Sequence, residues 1–193
     1  RLLKASWQRL YDNPELAKKM EMMLNGNLYN GYDSLSFSRG DLNDSQNTAV
    51  RKALGCSHFS IIQGPPGTGN TYTIAKLCAK LVEQGLKVFI TGPTHTAINN
   101  CLIAVAKDLK DKSKIVKIGE KYQAAEILDN PWITRKTRLS YYSYEGNNNF
   151  SQMGFVIGAT PFALCFPASK KLEAWNFDYI IIDSIPRSIN LVD

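Results

Sequence analysis

The stretch SIIQGPPGTGNT, residues 60–71, decides the fold of this chain. It places three glycines, Gly64, Gly67 and Gly69, directly after an apolar run. Glycines let backbone N–H groups converge on an anion without obstruction by a Cβ atom. The helix predicted from Thr71 points its positive end at the same anion. The stretch therefore predicts a phosphate-binding loop between a strand and a helix.

One position departs from this pattern, because Asn70 stands where a lysine usually follows the last glycine. In the complete pattern the lysine pairs with the β- and γ-phosphates, and a hydroxyl, here that of Thr71, binds magnesium. A unit charge about 4 Å from another is worth roughly 4 kcal/mol at an effective dielectric near 20. We therefore expect a weak site for ATP and Mg²⁺, with slow hydrolysis; the alternative is a glycine-rich turn that binds nothing. The predicted nucleotide contacts are Gly64, Pro65, Pro66, Gly67, Thr68, Gly69, Asn70, Thr71 and Tyr72.

Composition sets the outer limits of the interpretation. The chain has 193 residues, of which 44% are hydrophobic, and a net charge of +6. This length and composition predict a globular domain with a substantial core. The positive charge fits a polyanionic partner, although a mildly basic solvated surface is the alternative. The four cysteines show no metal-ligand spacing, which favours reduced thiols in the cytoplasm or nucleus.

The order of apolar runs predicts an α/β fold. We expect a helical extension over residues 1–24, broken near Pro14, a linker over 25–40 and a partial α/β domain over 41–193 with an insertion over 119–153. The predicted elements are helices over 42–54, 71–83 and 96–109, and strands over 59–63, 87–91, 115–118, 155–157 and 179–182. Continuous apolar strands that alternate with helices indicate a mostly parallel sheet with helices on both faces. The start at Arg1 suggests a piece of a longer protein.

A second nucleotide-related pattern lies near the end of the chain. Residues 177–183 read FDYIIID, an apolar strand that delivers Asp183 at its carboxyl end. Parallel sheets bind their ligands at that end. We therefore expect the Asp183 carboxylate to share a magnesium ion with Thr71, although a lone aspartate after a strand is common.

Five segments in order resemble the first motor domain, of RecA-like P-loop fold, of the superfamily-1 helicases. The resemblance is to the branch that contains the nonsense-mediated-decay and Okazaki-fragment-processing helicases. The segments are LNDSQNTAV at 42–50, IQGPPGTG at 62–69, GPTHTAINN at 92–100, VIGAT at 156–160 and DYIIID at 178–183.

This resemblance implies roles for individual residues. Gln46 would read the adenine edge, and Asp183 would orient the metal. The residues implied to face a single strand of DNA or RNA are Thr94, His95, Thr96, Asn99 and Thr160. Each has a simpler interpretation beside it, for example Gln46 as an exposed helix residue, Thr96 as a helix cap and His95 as a loop histidine.

The sequence departs from the family where hydrolysis would occur. After Asp183 the family has glutamate, alanine, a variable residue and glutamine, whereas this chain has Ser184 and, in place of the glutamine, Arg187. The glutamate would deprotonate the attacking water, a contribution of about 10²–10⁴ in rate. Together with Asn70, these changes predict very weak hydrolysis or none. A second motor domain of the parent chain would be needed to complete the cleft.

Two hypotheses follow from the sequence. In the first, the chain is a fragment of an ATP-dependent helicase whose motor domain binds ATP–Mg²⁺ and single-stranded nucleic acid. In the second, the parent is a catalytically dead pseudo-helicase that serves as a nucleic-acid-binding scaffold or clamp.

Overall fold

The computed structural model describes residues 8, 10–26, 35–111, 114–118, 134–136, 154–164 and 177–183. The chain divides into two compact units, Arg1–Ile62 and Gln63–Asp193. The predicted boundaries of the extension and the linker remain predictions. The insertion over 119–153 lies mostly outside the described residues; within it, Thr134–Lys136 forms a short strand.

The first unit contains two described helices with polar N-caps. Helix α1, Pro14–Leu24, follows Asn13, whose side-chain oxygen accepts a bond from the Leu16 N–H at 3.1 Å. Pro14 opens the helix, because the first helical position needs no N–H donor. Helix α2, Asp44–Gly55, follows Asn43.

The second unit is built on a five-stranded parallel sheet. The strands are β1, Lys87–Thr91; β2, Ile115–Ile118; β3, Thr134–Lys136; β4, Phe155–Gly158; and β5, Tyr179–Ile182. Their order across the sheet is β3-β2-β4-β1-β5. All four pairings are parallel. The α/β prediction with a parallel sheet is therefore confirmed.

Three helices of this unit follow the strands or the glycine-rich loop. They are α3, Asn70–Glu83; α4, His95–Asp108; and the short α5, Pro161–Leu164. Helix α4 lies against the sheet at Gly158, where an added Cβ atom would approach Ile98 to 2.6 Å and Leu102 to 2.7 Å. A buried ion pair joins α3 to α4: Lys76 Nζ lies 2.6 Å from Asp108 Oδ1, and the two side chains are 6% and 11% exposed.

The other face of the sheet carries an aromatic cluster. Phe89 and Phe155 pack with strand residues of β2 and β4, and Phe177 lies against both rings at centroid distances of 5.3 and 6.2 Å. Because alternate strand residues point to opposite faces, this cluster and the α4 contact at Gly158 lie on opposite sides of β4. Apolar side chains are therefore buried on both faces of β4, whereas Ile180 and Ile182 of β5 are 65% and 59% exposed.

One predicted strand is wrong. Residues 59–63 form no strand, and the described sheet ends at β5. Ile61 is 83% exposed. A strand needs a neighbouring ladder for its N–H and C=O groups, and a five-residue apolar run does not by itself provide that neighbour. The segment has no regular secondary structure.

Candidate functional site

The glycine-rich loop has the backbone that its glycines predict. Gly67 and Gly69 adopt φ values of +82° and +88°, a left-handed conformation that residues with a Cβ atom rarely adopt. Between them, Thr68 turns back on Pro65, whose carbonyl accepts bonds from the Thr68 N–H at 3.2 Å and from its hydroxyl at 2.7 Å. The loop is therefore a closed turn that leads directly into α3.

The N-terminus of α3 has no side-chain cap. Gly69 is the N-cap residue, and the first turn contains no acidic side chain. The first N–H groups of a helix have no partner within the helix and carry a partial positive charge. This end of α3 therefore suits a phosphate group.

Asn70 uses its amide inside the loop. Its Nδ2 donates to the Gly64 carbonyl at 2.8 Å, and its Oδ1 accepts a long bond of 3.4 Å from the Thr68 hydroxyl. A Cβ atom on Gly64 would collide with the same amide oxygen. Asn70 therefore connects the two ends of the loop, and Gly64 is required because the amide occupies the space beside it.

Thr71 and Tyr72 begin the helix on its loop side. Thr71 is half-buried, and Tyr72 is 40% exposed. The Lys76 ammonium lies 4.4 Å from the centre of the Tyr72 ring, a cation–π contact. Because Lys76 also pairs with Asp108, its charge is partly neutralised within the protein.

Asp183 occupies the predicted place at the carboxyl end of β5. Its N–H donates to the Thr91 carbonyl at 2.9 Å, which extends the pairing of β5 with β1 by one residue. The side chain is buried, and Oδ2 accepts a bond of 3.1 Å from the Cys101 thiol of α4. Burial and the neighbouring Asp183 carboxylate raise the pKa of Cys101, so this thiol stays protonated and remains a donor.

These residues fit a magnesium nucleotide in part. No cluster of three or more His, Cys, Asp or Glu side chains suited to a metal occurs in the described ranges. Mg²⁺ in nucleotide sites usually binds one or two protein oxygens together with phosphates and water. The Thr71 hydroxyl and the Asp183 carboxylate match such a donor set, whereas the neutral amide of Asn70 leaves the phosphates without a cation at that position.

The predicted strand-binding residues of segment 92–100 have different environments. Thr94 is the N-cap of α4, and its hydroxyl accepts from the Ala97 N–H at 3.2 Å. The cap is thus Thr94 rather than Thr96, which is exposed on the first turn. Asn99 is fully buried, because its position on α4 faces the protein interior. Its side chain therefore does not reach the surface in this structure.

His95 is the first residue of α4 and is half-buried. Lys117 Nζ lies 2.8 Å from its Nδ1 atom. Burial, and then the charge of Lys117, lower the pKa of His95 below its usual value of 6.5. The imidazole is therefore neutral near pH 7.

Thr160 follows β4 and is only 4% exposed. The preceding Ala159 N–H donates to the Ile90 carbonyl at 3.1 Å, which brings the end of β4 beside the end of β1. Thr160 therefore lies at the same edge of the sheet as segment 92–95, with its side chain mostly below the surface.

Gln46 lies in the first unit and serves its own helix. Its side-chain oxygen accepts from the Asn43 N–H at 3.1 Å, and its N–H donates to Asn43 Oδ1 at 2.9 Å. This reciprocal arrangement is a capping box. This contact favours the simpler interpretation, in which Gln46 is a helix residue with a local role.

Two predicted positions, Ser184 and Arg187, lie outside the described residues. Sequence reasoning missed Lys117 and Cys101, which contact two predicted site residues. A lysine inside the apolar run IVKI, residues 115–118, was the available signal for the first. A cysteine on an apolar helix face gives no such signal for the second.

A domain family and several known proteins are similar to this chain. Residues 41–149, more than half of the chain, match the AAA domain family. The DNA replication ATP-dependent helicase/nuclease dna2 of Schizosaccharomyces pombe is 29% identical over 142 residues, which are 74% of this chain and 10% of the relative. The DNA-binding protein SMUBP-2 of Mus musculus is 37% identical over 96 residues, 50% of this chain and 9% of the relative.

A third relative extends further along the chain. The DNA polymerase alpha-associated DNA helicase A of Schizosaccharomyces pombe is 29% identical over 200 residues, which correspond to 80% of this chain and 29% of the relative. The chain thus spans about a tenth of the length of the first two relatives. None of the helices in the described ranges has the length and hydropathy of a membrane span. The chain belongs to the AAA domain family, and it is part of a motor domain of the superfamily-1 helicases, in their nonsense-mediated-decay and Okazaki-processing branch.

Proposed function

We propose that this chain is the nucleotide-binding part of a helicase motor domain that binds ATP–Mg²⁺ weakly, binds single-stranded nucleic acid, and hydrolyses ATP very slowly or not at all. The observation that carries the proposal is the loop at 64–70. It combines two left-handed glycines and an uncapped helix N-terminus with an asparagine amide at the lysine position.

The nucleotide part of the proposal rests on the loop and on Asp183. The backbone N–H groups at the start of α3 would bind the α- and β-phosphates, as helix N-termini commonly do. Thr71 and Asp183 would supply oxygens to Mg²⁺. Because Asn70 carries no charge, the γ-phosphate would add little affinity, and the site would bind ADP and ATP with similar strength.

The strand-binding part rests on the edge of the sheet where β1 and β4 end. Thr94, His95 and Thr96 would contact the strand there, together with the backbone at Thr160; Asn99 has no part in this surface because it is buried. The relatives are named as DNA helicases and a DNA-binding protein, which favours single-stranded DNA over RNA. An intracellular location, cytoplasmic or nuclear, and a second motor domain of the parent chain complete the proposal.

Calorimetric titration with Mg-ADP and Mg-ATP tests the nucleotide part. We expect detectable ADP binding, and an ATP affinity within a few-fold of it. Equal binding in the presence of excess EDTA would contradict the roles of Thr71 and Asp183. No binding of either nucleotide would contradict the proposal at the loop.

A second candidate is the pseudo-helicase, a scaffold or clamp that binds a strand without responding to nucleotide. The bond between Asn70 and Gly64 favours it, because the loop satisfies its own polar groups. Titration of a fluorescent deoxythymidine oligonucleotide, with and without Mg-ATP, separates the two candidates. Strand affinity that is unchanged by saturating nucleotide supports the scaffold.

A further inference from the structure

Lys117 is a lysine in the interior of the protein. It lies in β2 with 0% of its surface exposed, although lysine is almost never fully buried unless it is paired. Its Nζ atom contacts His95 Nδ1 at 2.8 Å and donates to the Ile118 carbonyl at 2.9 Å. A buried amine with defined partners points to a specific task for this side chain.

The chemistry of the two groups determines the direction of the bond between them. A lysine ammonium has three N–H donors and no acceptor, whereas a neutral imidazole has one donor nitrogen and one acceptor nitrogen. A charged Lys117 can only donate, so the His95 Nδ1 atom accepts from it. The ring hydrogen is then on Nε2, because the bond made by one ring nitrogen sets the state of the other.

The position of His95 suits the Nε2–H tautomer for binding at the proposed strand-binding surface. The ring is only half-buried, while Lys117 is fully buried, so Nδ1 faces the interior and Nε2 points away from Lys117. His95 also directly follows Thr94 at the end of β1, where the strand-binding surface proposed above lies. An outward N–H on a ring that is held from behind is a suitable donor to a phosphate oxygen.

We propose that Lys117 is a positioning residue that holds His95 as the neutral Nε2–H tautomer, so that Nε2–H donates to a phosphate oxygen of the bound single strand. This inference rests on the proposed strand binding. Lys117 acts through His95 and does not itself touch the strand. A lysine that only satisfies its own buried amine would leave strand binding unchanged when replaced by an apolar side chain.

The first experiment needs no variant. Long-range ¹H–¹⁵N spectra report the protonation of each ring nitrogen, and the chain has two histidines, of which His58 is exposed and serves as an internal reference. Near neutral pH we expect an unprotonated Nδ1 and a protonated Nε2 for His95. A His95 that is doubly protonated, or protonated at Nδ1 alone, would overturn the inference.

The second experiment is a double-mutant cycle on oligonucleotide affinity with Lys117→Met and His95→Ala. Each single variant should weaken binding of a deoxythymidine oligonucleotide by roughly two- to tenfold, the range of one modest hydrogen bond. In the His95→Ala background, Lys117→Met should have no further effect, because its action passes through the ring. Additive losses would overturn the inference, since they would mean that the Lys117 charge acts directly.

Two further variants complete the test. Lys110→Met removes the same charge from an exposed position and should change affinity by less than the Lys117 variant at each salt concentration. Lys117→Arg keeps a cationic donor and should retain the Nε2–H signature even if affinity changes. If the unmodified chain binds no oligonucleotide, the strand-binding function and the phosphate contact both fail. If it binds but the His95 tautomer is wrong, only the role of Lys117 fails.

Discussion

Replacement of Asn70 by lysine should tighten ATP binding more than ADP binding. The change removes the amide bond to the Gly64 carbonyl, 2.8 Å long, at a cost of about 0.5–1.5 kcal/mol. It introduces a charge worth about 4 kcal/mol at 4 Å from a phosphate and an effective dielectric near 20. Ordering the lysine side chain costs up to about 2 kcal/mol. With the full ordering cost, the net gain is about 0.5–1.5 kcal/mol, a two- to twelvefold lower Kd for Mg-ATP.

The matched control is Asn70→Met. Methionine also lacks the amide and has similar length, so the two variants differ mainly in charge. Calorimetric titration of the unmodified chain and both variants, with Mg-ATP and Mg-ADP, isolates the charge effect. We expect Asn70→Met to bind both nucleotides no more tightly than the unmodified chain. Equal ATP affinities of the lysine and methionine variants would refute the placement of the phosphates beside residue 70, and so would an equal gain for both nucleotides.

Three other predictions concern stability. Asp108→Ala should lower the free energy of unfolding by about 3–5 kcal/mol, because it leaves the buried Lys76 charge without its partner at 2.6 Å; urea unfolding measures this. Gly69→Ala should cost about 1–2 kcal/mol, because φ is +88° there, and the same unfolding curves test it. The pKa of His95 is lowered in the folded state, so the unfolded chain binds a proton at this imidazole more readily than the folded chain does. The contribution of His95 to the free energy of unfolding is therefore present above pH 6.5 and is lost as the pH falls below it.

Each of these has a control on the same chain. Glu15→Ala removes an exposed ion pair with Lys19 and should cost less than about 1 kcal/mol. Gly40→Ala adds a methyl group into open space at ordinary φ and should be close to neutral. His95→Asn should flatten the stability profile below pH 6.5. A profile that is equally steep without His95 would contradict the pKa argument.

The helices and strands predicted from the sequence agree with the structure where the prediction depends on residues close together in the chain. Strand β1 was predicted with its observed bounds, because its apolar run is bounded by Gly85 and Gly92 and both of its faces are buried. Helix α3 begins one residue before the predicted start, within the usual uncertainty of helix ends. The strand predicted over 59–63 failed because pairing depends on a distant segment, which composition does not reveal.

The site shows the same division. Gly67 and Gly69 were recognised because a left-handed backbone demands glycine locally. Lys117 and Cys101 were missed, because their roles come from contacts with residues 22 and 82 positions away in sequence. Asn99 was assigned to the surface by resemblance, but the orientation of α4 puts its side chain inside.

The ion pair between Lys76 and Asp108 has a mechanical consequence. Helix α3 starts at the phosphate loop, and α4 starts at the segment with Thr94 and His95. Because separating two buried charges is costly, we expect the two helices to move together rather than slide past each other.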